Sequence, residues 1–154
     1  MSDNKKLLSL LKKVTIFSGI DNKSLKQIYS KCDIVKKRKG DVIIEEGTDA
    51  TEIFILLKGS VKIALDIEKD PIEIVDLGPG SCIGEASVIG IQKHCASVIL
   101  IEDSELLVLS RKLLMDIYSQ DKELFSLLIL NIARELARRF YQTDQALLKY
   151  TSHS

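Results

Sequence analysis

The residues most able to do chemistry lie in one run, Leu77-Gly-Pro-Gly-Ser-Cys-Ile-Gly-Glu-Ala-Ser-Val-Ile-Gly-Ile-Gln-Lys-His-Cys-Ala-Ser-Val98. Its middle, Gly84 to Gly90, is bounded by glycines and long enough for one or two helical turns. A short helix starting after Gly84 would point unpaired backbone N–H groups of Glu85, Ala86 and Ser87 outward, a natural anion site. Gly84 lets a ligand approach the chain closely. Glu85 offers a carboxylate to a sugar hydroxyl, and His94 and Cys95 open the next strand near enough to add donors. Phosphate plus ribose is the ligand this chemistry suits. A plainer reading competes with it, because an acidic residue in a helix's first turn is favourable without any ligand, and the helix would then only close one end of a β structure.

The rest of the composition narrows the classes. Lys and Arg (22) balance Asp and Glu (22), so the chain lacks the basic surplus of a dedicated nucleic-acid binder. Three separated cysteines without a CxxC pair, and two histidines, suggest neither a disulfide framework nor a metal site. Cys82 and Cys95 flank the glycine-bounded run, but the common fate of a free cysteine is that of a small hydrophobe. No apolar run is long enough to span a bilayer, and Leu7–Leu11 is recharged by Lys12 and Lys13 too soon for a secretory signal. A cytoplasmic location without membrane attachment is expected. The basic run Lys36-Lys-Arg-Lys39 is followed by Asp41, Glu45 and Glu46 and reads as solvated surface. No Ser-His-acid set or Walker loop is present, so the protein reads as a non-enzyme without a cofactor.

The elements that must position these residues fall into three regimes within a single domain spanning 1–154. Residues 1–33 are helical, broken by a turn at Phe17-Ser-Gly-Ile-Asp21, with Asp21 or Asn22 as cap of the second helix. From 34 to 110 the pattern becomes short strands: 34–37, 42–45, 52–57, 60–66, 72–77, 81–83, 96–102 and 105–110, separated by Gly40-Asp41, Gly47, Lys58-Gly59, Asp70-Pro71 and Gly78-Pro79-Gly80. Residues 111–150 return to helix: a short amphipathic piece to Gln120, a cap among Ser119–Asp121, then a long helix without Gly or Pro. The fold class is mainly β with flanking helices, an eight-stranded sandwich or barrel.

On the long helix, Phe125, Ile129, Ile132, Leu136 and Phe140 make one apolar stripe. Leu130, Ala133, Ala137, Tyr141 and Leu148 make a second. Asn131, Arg134, Glu135, Arg138 and Gln142 share the polar side, where solvent accounts for Arg134, Arg138 and Arg139. Two stripes exceed what one core needs. One is expected on the sheets and the other on a partner helix, giving a homodimer, with Leu136, Phe140 and Tyr141 near the pocket or the seam.

Several separated motifs, in order, carry a resemblance: Phe17-Ser-Gly-Ile20, Lys39-Gly-Asp-Val-Ile-Ile-Glu-Glu-Gly47, Ile53-Phe-Ile-Leu-Leu-Lys-Gly-Ser-Val61, Leu77-Gly-Pro-Gly80 and Ile83-Gly-Glu-Ala-Ser87, closed by the long helix. From about Phe17 to Phe140 the chain resembles cyclic-nucleotide-binding domains of the catabolite-activator and cAMP-dependent kinase regulatory type. The resemblance implies a double-sheet jelly roll that holds cAMP or cGMP in a phosphate-binding cassette. It implies that Glu85 takes the ribose 2′-OH, that the turn Gly84–Ser87 gives backbone amides to the cyclic phosphate, and that His94 and Cys95 stand where a residue pair contacts the phosphate.

There the chain departs from the pattern, which has Arg followed by Ala, Ser or Thr. No Arg lies between Arg38 and Arg111, and losing a charge-assisted hydrogen bond of roughly 1.5–3 kcal/mol weakens binding by about ten- to a hundredfold. Two outcomes stay open. Either a cyclic nucleotide still binds, weakly or pH-dependently, with His94 or Lys93 as the cation, or the fold serves as a nucleotide-independent module for an unidentified protein partner or another small ligand. Only Thr151-Ser-His-Ser follows the helix, so no helix-turn-helix, and no DNA binding by that route, is expected from this chain.

Overall fold

The computed structural model describes residues 2–69 and 72–152; the Asp70-Pro71 turn expected above lies outside them. Eight strands form two four-stranded antiparallel sheets. They are β1 (Asp33–Lys37), β2 (Val42–Ile44), β3 (Glu52–Lys58), β4 (Val61–Leu65), β5 (Ile72–Leu77), β6 (Cys82–Ile83), β7 (Ser97–Leu100) and β8 (Ser104–Ser110). One sheet runs β1-β8-β3-β6 and the other β2-β7-β4-β5. This is the expected jelly roll, with each strand within a few residues of its expected span.

The two central strands of the first sheet show why both were apolar almost continuously. In β3, Ile53 and Ile55 point to one face and Leu56 to the other; in β8, Leu107 and Leu109 face as Ile53 and Ile55 do, and Leu106 faces with Leu56. Register pairs Ile55 with Leu107 and Ile53 with Leu109. One face meets the second sheet through Val61, Val98 and Leu100. The other is covered by helices, so both sides of this sheet are dry.

Those helices are α1 (Ser2–Lys13), α2 (Asn22–Ser30), α4 (Arg111–Gln120) and α5 (Lys122–Ser152), joined at the N-terminal end by a 3₁₀ turn, Thr15–Phe17. Leu11, Val14, Phe17, Leu25 and Ile28 pack with Leu113, Ile117, Leu128 and Ile132 over the sheet. Asp21 caps α2, accepting from Ser24 N–H at 2.7 Å. Asp121 caps α5, accepting from Leu124 N–H at 3.0 Å. Ser110 caps α4, accepting from Leu113 N–H at 3.0 Å. At the β3–β4 turn Gly59 has φ +98°, and a Cβ there would sit 2.8 Å from the Asp103 carbonyl oxygen and closer still to Ser104 Oγ. Only glycine fits.

The faces of α5 correct one expectation. Asn131 and Glu135, on the polar side opposite the apolar stripes, are 4% and 6% exposed. The 3₁₀ turn packs on that side, and Asn131 Nδ2 donates to the carbonyls of Ile16 (3.0 Å) and Ser18 (2.8 Å). The buried line runs Leu128, Ile132, Asn131, Glu135, rotated towards the polar residues. The first apolar stripe is only partly used: Phe125, Ile129 and Leu136 are half-buried, and Phe140 is 70% exposed. The second stripe, Leu130 to Leu148, faces solvent throughout, and so does every residue from 140 to 152.

Candidate functional site

Strand β6 is only two residues long, pairing Cys82 with Ile55 and Ile83 with Phe54, and it delivers the chain to Gly84. Gly84 turns it with φ +86° and caps the short helix α3 (Glu85–Gly90). A Cβ on Gly84 would lie 3.1 Å from the Glu52 carbonyl oxygen, 3.3 Å from Ile44 Cδ1 and 3.5 Å from His94 Cε1. The glycine is therefore needed for conformation and for close approach together. Val88 N–H closes the first turn onto the Gly84 carbonyl at 3.1 Å, and the helix ends at Ile91 in the left-handed region (φ +51°). The segment then returns alongside Gly47–Asp49: His94 N–H donates to Thr48 O at 2.9 Å, and Gly47 N–H donates to His94 O at 2.8 Å.

Of the residues singled out in the sequence, Glu85, Ser87 and His94 are buried, and half-buried Gly84 lies against the His94 ring. Glu85 is 1% exposed, Ser87 6% and His94 9%. Ala86 and Cys95 face solvent. Lys93, the other candidate cation, is exposed and pairs with Asp49 at 3.5 Å. Burial holds the His94 imidazole below its ordinary pKa, which favours the neutral form. Cys82 is buried, its thiol pushed well above the usual range chiefly by desolvation, whereas Cys95 is exposed. That separates the two cysteines' environments and leaves Cys82 inert.

The decisive side chain is one the sequence reading left in solvent. Arg139, three turns from the end of α5, reaches the cassette and pairs with Glu85 Oε1 through Nη1. Its Nη2 donates to the Cys82 carbonyl at 2.9 Å, and its Nε donates to Glu135 Oε1 at 3.1 Å. Glu135 in turn takes Arg138 Nη2 on its other oxygen at 2.5 Å. A chain of charges thus runs Glu85–Arg139–Glu135–Arg138. Burial pushes the Glu85 carboxyl above its usual pKa, and Arg139 offsets part of that. At Glu135 burial acts upward as well, but the Arg138 hydrogen bond and the two guanidinium charges outweigh it and hold the group low. The Glu135/Arg138 and Glu135/Arg139 spacings were visible as helical ion pairs. The 54-residue reach to Glu85 was not.

The sequence profile of the cyclic nucleotide-binding domain matches residues 34–121. The chain belongs to that family. Human cGMP-dependent protein kinase 2 is 31% identical over 107 residues, covering 68% of this chain and 14% of the kinase, so the chain spans a small part of that relative. Among solved structures, a cyclic nucleotide-binding domain from Methylobacillus flagellatus superposes with a TM-score of 0.85 at 22% identity, covering 97% of this chain and 84% of that one. The Thermus thermophilus catabolite activator protein superposes with 0.77 at 24% identity, covering 89% and 63%. These likenesses carry the fold. Among the described residues no helix is long and apolar enough to cross a membrane.

Proposed function

We propose that the protein is a regulatory module that takes a cyclic nucleotide, cAMP or cGMP, at Gly84–Ser87 and His94 and relays its presence through α5. The observation that carries this reading is the pairing of Glu85 with Arg139. The carboxylate expected to take the ribose 2′-OH faces inward, at the start of the cassette helix, and its present partner belongs to the output helix. For a ribose to take the place of the guanidinium on Glu85 Oε1, Arg139 must let go. Exchanging a guanidinium for a neutral hydroxyl at that carboxylate forfeits roughly 1.5–3 kcal/mol of charge-assisted bonding, which the ligand's other contacts must offset. The ligand then shifts α5 by its differential affinity for the two arrangements. The exposed second stripe of α5 supports homodimerisation through a like helix.

Two observations favour the other reading, a nucleotide-independent interaction module: Glu85 is already paired with Arg139, and His94, held below its ordinary pKa by burial, stands where the family has Arg. Titration calorimetry with cAMP and cGMP at pH 6 and pH 8 separates them. Binding is expected at both, tighter at pH 6, because an anion beside His94 favours the imidazolium. No heat at millimolar nucleotide at either pH rejects the nucleotide reading. Tight binding gained by His94→Arg from an unresponsive parent would mark a pocket that has diverged.

A further inference from the structure

On the far side of Glu135 from the cassette, the end of α1, the 3₁₀ turn and α5 enclose an open groove of about 330 Å³. Lys12 and Lys13 line one wall and Arg134 and Arg138 the other, with the exposed residues Thr15 and Ser18 between them. Four positive charges face one carboxylate there, in a chain whose total charge is zero. That carboxylate, Glu135, is consumed by Arg138 and Arg139. Lys12, Lys13 and Arg134 have no ion-pair partner among the described residues. The lysines suit the last turn of α1, where the helix dipole favours cations, but that effect does not reach Arg134 on another helix.

We infer that this groove is a binding site for a compact polyanion of the pyrophosphate or bisphosphate class, separate from the cassette. Three features favour that class. The cations converge on one hollow from two sides, whereas an acidic peptide would be matched by a line of charge. Arg134 and Arg138 are one helical turn apart on the same side; the Arg134 fork is unpaired among the described residues and Arg138 commits its Nη2 to Glu135, and guanidinium groups match phosphate oxygens two at a time. Glu135 shows that an anion is tolerated at the groove wall with an arginine closed on it at 2.5 Å. The site goes beyond the nucleotide reading and does not depend on it, since it needs neither Glu85 nor a ribose.

The probe is sodium pyrophosphate, titrated calorimetrically into the full chain at low salt. Saturable binding that weakens steeply with added salt is expected. Lys13→Gln with Arg134→Gln should weaken it by about tenfold or more. Lys26→Gln with Lys112→Gln, which removes the same charge from exposed positions elsewhere, should leave it unchanged. Thermal melting of both double variants in the absence of ligand checks that they remain folded. The inference is overturned if pyrophosphate gives no saturable heat, or if the distant pair weakens it as much as the groove pair. It is also overturned if a hexaglutamate peptide outbinds pyrophosphate, which would make the groove a protein-docking surface instead.

Discussion

Arg139 ties three otherwise separate groups together, so its removal has a sign that depends on pH. Without it the Glu85 carboxyl stays buried and loses the one charge opposing its upward shift. A carboxyl raised in the folded state contributes stability below its unfolded pKa and loses it as pH rises through the folded value. Arg139→Gln is therefore expected to cost little near pH 4 and about 1–3 kcal/mol near pH 7. This is below the cost of breaking a fully buried pair, because Arg139 is 35% exposed. Adding Glu85→Gln should return most of the loss at pH 7. Urea denaturation of the three proteins across that range measures both effects, and a deficit constant with pH would contradict the assignment. Glu85 itself was legible from its place after Gly84 in the first turn of a short helix. Its partner was not, because a single sequence carries no sign of which distant cation folds onto a given carboxylate.

At the scale of elements, period and punctuation located the strands well, since each β run ended at a glycine or a charged turn. The helix α5 misled for a physical reason. Its apolar residues exceed what the domain buries, and the 3₁₀ turn presents bare carbonyls, which call for a donor rather than a hydrocarbon. Asn131 supplies that donor twice, so a polar residue goes inside while Phe140 stays out. Asn131→Leu, nearly matched in size, should destabilise the protein by about 1–3 kcal/mol by stranding the Ile16 and Ser18 carbonyls. Unfolding by guanidinium with an unchanged m-value is the measurement. Equal stability would mean that water or a shifted turn replaces the amide.

For the whole molecule, the unpartnered stripe on α5 carries the oligomeric prediction. Tyr141 is 64% exposed and Leu148 61%, with Leu130 and the two alanines aligned behind them. Light scattering is expected to give twice the chain mass for the parent and the single-chain mass for Tyr141→Glu, with melting of the core unchanged. A monomeric parent would remove the seam. The same helix also acts as a pointer. Beyond Arg139, residues 140–152 extend about 20 Å without packing on the rest of the chain. Pivoting the helix by about 10° at the guanidinium anchor would sweep the tip through roughly 3.5 Å, close to the thickness of an aromatic ring. A lever of that length turns the making or breaking of one contact into a displacement that a neighbouring surface can read.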